Sequence, residues 1–107
     1  MSVTPLPTIT AIDAEQILAF LRSHRDHLRA MGVVRLGLFG SYARNTQSAA
    51  SDIDLLLVME SFTWESWMDV WNYLEDSLGC PVDLVPEKDL RDELRSTVLR
   101  EVCYVET

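Results

Sequence analysis

Lysine is almost missing from this 107-residue chain: Lys88 stands alone, and every other cation is an arginine. Nine basic residues face 17 acidic ones, a formal net charge of −8. So acidic a surface repels phosphate backbones, which argues against a nucleic-acid partner and suits either plain solubility or a basic protein partner. Cysteine is scarce too. Cys80 and Cys103 have no metal-site spacing, and His24 and His27 supply no matching set. Both thiols are expected reduced and in the core, as in a small cytosolic domain. Residues 1–10 hold no basic stretch and no apolar segment of signal-peptide type. No apolar run is long enough to cross a bilayer, so the expectation is a cytoplasmic protein without a membrane partner. With four glycines and four prolines there is little low-complexity sequence and no interior linker.

What is present suits one domain over residues 1–107: 48 % of the chain is apolar, enough for one small core. Pro5 and Pro7 mark an extended arm over residues 1–10. A helix is expected from near Asp13, with Ile17, Leu21, Leu28 and Met31 on one face and Gly32 as its left-handed stop. Arg22, Arg25 and Arg29 form a stripe on that helix, readable as a solvated face or as a docking surface. Residues 33–39, rich in β-branched and apolar side chains, predict a first strand, broken by Gly40-Ser41. Residues 42–47 predict a short helix and 48–51 a loop. The nearly unbroken apolar run over 53–59 predicts a central strand covered on both faces. Thr63 is a candidate cap for a helix carrying Trp67, Val70, Trp71, Leu74 and Leu78, with Gly79 as its stop. Residues 82–85 predict a third strand closed by Pro86, and 88–101 a last helix with Leu90, Leu94 and Val98 at i, i+4 and i+8. Tyr104-Val105 reads equally as a short strand or a frayed end. The order predicts an α/β architecture with a small sheet.

The chemistry lies in Gly40-Ser41, ten intervening residues, then Asp52-Ile53-Asp54 at the head of the apolar strand. Residues i and i+2 of a strand share a face, so Asp52 and Asp54 project together. Two like charges at the start of a core strand call for a cation between them, and Mg²⁺ shared with nucleotide phosphates answers that need. A Gly-Ser turn opening a helix offers backbone N–H groups, a hydroxyl and a favourable dipole to an anion. Gly40 permits close approach of a phosphate. Asp83, between Val82 and Leu84 in another apolar strand, is costly there unless paired or metal-bound. If the two strands are neighbours, three carboxylates converge, a set suited to two Mg²⁺ ions and to attack of an oxygen nucleophile on a nucleotide α-phosphate. Asp83 is then the candidate to assist deprotonation of the attacking hydroxyl.

These residues resemble the polymerase-β-like nucleotidyltransferases. Gly-Ser-Tyr-Ala-Arg (40–44), Ser-Asp-Ile-Asp-Leu (51–55) and Val-Asp-Leu-Val (82–85), in so short a chain, resemble the minimal nucleotidyltransferase (MNT) group, antitoxins encoded beside HEPN-domain toxins. The resemblance implies a small mixed sheet flanked by helices. It also implies transfer of AMP from ATP to a tyrosine hydroxyl of a HEPN ribonuclease, with a possible hetero-oligomer of the two proteins. On it, Gly40, Ser41 and Arg44 bind the nucleotide, Asp52 and Asp54 ligate Mg²⁺, and Asp83 completes the catalytic and metal set. One position departs from the family pattern: Asn45 stands where glycine is common, and Asn tolerates the left-handed conformation. Two alternatives stay open. One is an antitoxin that neutralises its toxin by stoichiometric binding. The other is nucleotidyl transfer to an aminoglycoside-type small molecule, for which the chain lacks a second pocket-forming domain.

Overall fold

The computed structural model describes residues 12–107; the expected N-terminal arm lies outside the described residues. A four-stranded mixed sheet forms the centre, in the order β3-β2-β1-β4. Strand β1 (Val33–Phe39) runs antiparallel to both β2 (Ile53–Met59) and β4 (Cys103–Glu106), and β2 runs parallel to β3 (Val82–Pro86). β1 and β2 keep the bounds their apolar runs predict. β4 resolves the open question at Tyr104-Val105 in favour of a strand.

The sheet buries side chains on both faces. On one, Leu36, Leu38, Ile53, Leu55, Leu57 and Leu84 pack against Ile17 and Leu21 of α1 (Ala14–Ser23), Leu28 of α2 (Arg25–Ala30), and Val70 and Leu74 of α4 (Trp64–Leu78). On the other, Leu56 meets Leu90 and Val98, the latter on α5 (Asp92–Glu101). An irregularity in pairing between Val33 and Arg35 shifts the alternation of β1 by one residue, so that Val33 shares a face with Leu36 and Leu38. Central β2 is thus covered on both sides, as its composition requires.

Asp13 caps α1 through a reciprocal pair with Gln16: the Asp13 carboxylate accepts from the Gln16 N–H at 2.9 Å, and Gln16 Oε1 accepts from the Asp13 N–H at 3.0 Å. The single helix expected as far as Met31 is broken at His24 (φ −106°, ψ 14°). There Ser23 Oγ donates to the Phe20 carbonyl at 3.0 Å, and His24 Nδ1 sits 3.0 Å from the same oxygen. Side chains competing for a helix carbonyl bend or end the helix. Gly32 and Gly79 do stop helices, at φ 95° and 69°. Thr63 caps α4 as expected, accepting from the Ser66 N–H at 3.0 Å.

Two more expectations need correction. The last helix starts at Asp92 and not at Lys88: a 3₁₀ turn (Glu87–Asp89) precedes it, and Leu90 is extended. Leu90 and Val98 still reach Leu56, but Leu94, in the first turn of α5, stays 47 % exposed. Cys80 is half-buried against the core, whereas Cys103, on the outer strand β4, is exposed. The arginine stripe of α1 and α2 remains exposed, and Arg29 Nε donates to the Thr107 carbonyl at 2.8 Å.

Candidate active site

Gly40 follows directly on β1, and α3 (Gly40–Arg44) begins at Gly40 itself, two residues earlier than the sequence suggests. Gly40 has φ +79°, a conformation that disfavours any side chain. The space a Cβ would take is occupied by Asp54: Asp54 Oδ2 lies within it, with Cγ at 3.0 Å. The absent side chain therefore makes room for the Asp54 carboxylate. Asn45 ends α3 in the left-handed conformation (φ 60°, ψ 38°), the role glycine fills in the family pattern. The Thr46 N–H then closes the turn on the Ser41 carbonyl at 2.9 Å.

The sheet register brings the acids together. Phe39 of β1 is opposite Asp54 of β2, and Asp54 is opposite Asp83 of β3. Asp54 and Asp83 are direct neighbours on adjacent strands, about 5 Å apart in backbone terms. Asp52 lies just before β2 and is exposed, as is Asp83; Asp54 is half-buried. Burial, then the negative charges of Asp83 and Asp52, push the Asp54 carboxyl up to about 6; Arg44 opposes the rise and Glu101 adds to it. Tyr42, buried in the core from α3, is also raised, by burial and then by Cys80 and Asp52 beside it.

The expected three-carboxylate metal set is not assembled as a closed cage. Among the described residues, no three His, Cys, Asp or Glu side chains gather into a group able to hold a metal ion. Asp52 and Asp83 stay exposed while Asp54 is half-buried, so the three carboxylates do not close on one point. What remains is an open pair of hard oxygen donors with a third nearby. That chemistry fits Mg²⁺, which prefers one or two carboxylates plus substrate phosphates and water to an all-protein cage.

Glu101, at the end of α5, was not singled out by the sequence. Its Oε2 accepts from the Gly40 N–H at 2.8 Å, and Arg44 Nη1 donates to its Oε1 and Oε2 at 3.1 and 3.2 Å. The Glu101 side chain is 17 % exposed and that of Arg44 52 %. The Gly40 amide is therefore committed to protein, which leaves Ser41 and Arg44 as the groups of the turn open to an anion. No local signal marks Glu101, 61 residues from Gly40. A cleft lined by Leu57, Val58, Phe62, Lys88 and Arg95 lies towards the other end of β2, about 13 Å along the strand from Asp54, and plays no part in this arrangement.

Residues 21–105 match the family described as Nucleotidyltransferase domain. The chain belongs to this family. This nucleotidyltransferase is 40 % identical over 93 residues to the protein adenylyltransferase MntA of Thermococcus cleftensis, a match covering 85 % of the chain and 94 % of its relative. A solved chain provisionally described as a minimal nucleotidyltransferase superposes with a TM-score of 0.74 at 35 % identity, covering 86 % of this chain and 95 % of that one. A crystal structure of a toxin–antitoxin with AMP-PNP gives a TM-score of 0.64 at 25 % identity, covering 88 % and 74 %. The fold alone is shared with the complex of a tri-AMPylated Shewanella oneidensis HEPN toxin and its MNT antitoxin, at a TM-score of 0.59 and 20 % identity. These matches place the nucleotidyltransferase with the protein adenylyltransferases of the minimal (MNT) group within the polymerase-β-like superfamily.

Proposed function

We propose that this nucleotidyltransferase uses Mg²⁺ and ATP to attach AMP to a tyrosine hydroxyl of a HEPN-domain ribonuclease toxin, silencing it. The observation that carries the reading is the meeting of Asp54 with Asp83 in register beneath the Gly40–Ser41 turn. In the step proposed, the tyrosine oxygen forms a bond to the α-phosphorus of ATP. The bond from that phosphorus to the bridging oxygen of the β-phosphate breaks, and pyrophosphate leaves. The phenolic proton passes to a carboxylate, for which Asp83 is the candidate. Ser41 and Arg44 hold the phosphates. Asp52 and Asp54, with Asp83, supply the carboxylates for Mg²⁺, which when bound neutralises charge on the nucleophile and the leaving group. The name of the 40 %-identical relative and the toxin–antitoxin neighbour that carries AMP-PNP support AMP transfer within such a pair. The exposure of Asp52 and Asp83 supports an acceptor that brings its own surface, as a protein does.

The test is incubation of the purified protein with α-labelled ATP, Mg²⁺ and the product of the neighbouring gene, next to an Asp52→Asn/Asp54→Asn control. The expected outcome is label on the partner with the wild type only, mapped by mass spectrometry to tyrosine. A tight complex formed equally by both proteins, without label, would replace catalysis by stoichiometric neutralisation.

A further inference from the structure

We infer that Glu101 is a positioning residue, which locks the Gly40 amide and aims Arg44 so that Arg44 and Ser41 face one ATP phosphate chain. The inference rests on the adenylyl-transfer reading above. Its starting point is the ladder between β1 and β4. Leu38 pairs with Cys103 in antiparallel register, so two residues on from Leu38 and two residues back from Cys103, Gly40 comes opposite Glu101. The bond from the Gly40 N–H to Glu101 Oε2 at 2.8 Å continues the ladder by a side chain where β4 has ended. It pins the first residue of the turn at its left-handed φ.

The same carboxylate governs Arg44. Both of its oxygens engage a single nitrogen, Nη1, and among the described residues Nη2 and Nε make no hydrogen bond. A guanidinium has five donors in a fixed fork, so holding one nitrogen orients the rest. Arg44 also acts on Asp54, against the negative charges of Asp83, Asp52 and Glu101. Released from Glu101, Arg44 would be drawn towards Asp54, on which its charge already acts. An Arg44–Asp54 pair would take up a carboxylate proposed to serve the metal and withdraw the guanidinium from the phosphates. Glu101, mostly buried and fixed at the end of α5, holds Arg44 back from that pairing.

The experiment measures the Kd for ATP with Mg²⁺ by calorimetry, and KM and kcat for AMP transfer, in wild type, Glu101→Gln, Arg44→Ala and the double variant. Glutamine keeps the shape and an oxygen for the Gly40 N–H but loses the ion pair. Its melting temperature is expected to stay near that of the wild type, which separates positioning from folding. The expected result for Glu101→Gln is a rise of about tenfold in both Kd and KM for ATP, as for loss of one charge-assisted contact. The double variant is expected to be no worse than Arg44→Ala, because Glu101 acts through Arg44. Wild-type ATP affinity in Glu101→Gln, or additive effects in the cycle, would overturn the inference alone. A wild-type protein that binds no ATP would overturn the adenylyl-transfer reading and the inference with it.

Discussion

Asp54 is the residue on which the site turns. It is packed against a glycine that has given up its side-chain space, and it stands beside two other aspartates. Its carboxyl titrates near 6, against an ordinary value of 3.8, so the folded state binds the proton more tightly than the unfolded chain. The stability this provides is present below pH 3.8 and is lost as pH rises through 6. Asp54→Asn removes the penalty of the ionised form. The variant is expected to melt above the wild type at pH 7 without metal, the gap narrowing towards pH 4, in scanning calorimetry across that range. A variant that melts lower at pH 7 would mean that ionised Asp54 is already well compensated. Activity runs the opposite way: the more stable variant is expected to be inactive, since the strain removed is the charge proposed to hold Mg²⁺.

The outer edge of β3 is closed by α4 through side chains. Trp71 Nε1 donates to the Val82 carbonyl at 2.8 Å, Trp67 Nε1 to the Leu84 carbonyl at 3.1 Å, and Glu75 Oε2 accepts from the Val82 N–H at 2.9 Å. These contacts flank Asp83 and fix the strand that carries it. Trp71→Phe keeps the ring packing but strands the Val82 carbonyl, at a cost of about 1 kcal/mol in urea unfolding. Unchanged stability would mean that water replaces the indole. Elements of this kind differ in how far their sequence betrays them. β1 and β2 were legible because their apolar, β-branched runs suit only a covered strand, and Thr63 and Gly79 bracket α4 by cap chemistry. The break at His24 was not legible, since the apolar stripe runs on through it and only side-chain bonds to the Phe20 carbonyl interrupt the helix. The Asp52, Asp54 and Asp83 pattern showed in the spacing, whereas Glu101 did not: its place depends on the β1–β4 register, a long-range fact no local pattern encodes.

Taken whole, the molecule carries a net charge of −8 and sets carboxylates around the proposed nucleotide site. A cation that binds only the folded form raises its stability by mass action. ATP with Mg²⁺ is expected to raise the melting temperature by several degrees, ATP with EDTA far less, and Asp52→Asn/Asp54→Asn to abolish the difference. An equal shift with and without metal would rule out carboxylate-bound Mg²⁺. No helix of the described residues is long and apolar enough to cross a membrane, and the sheet has two outer strands, β3 and β4. Those margins are unequal. With β3 sealed by indoles, strand-to-strand growth of the kind that seeds fibrils has one open template among the described residues, β4. That template is four residues long and carries Glu106, so stacked copies would repel one another and strand-to-strand growth at β4 would stall.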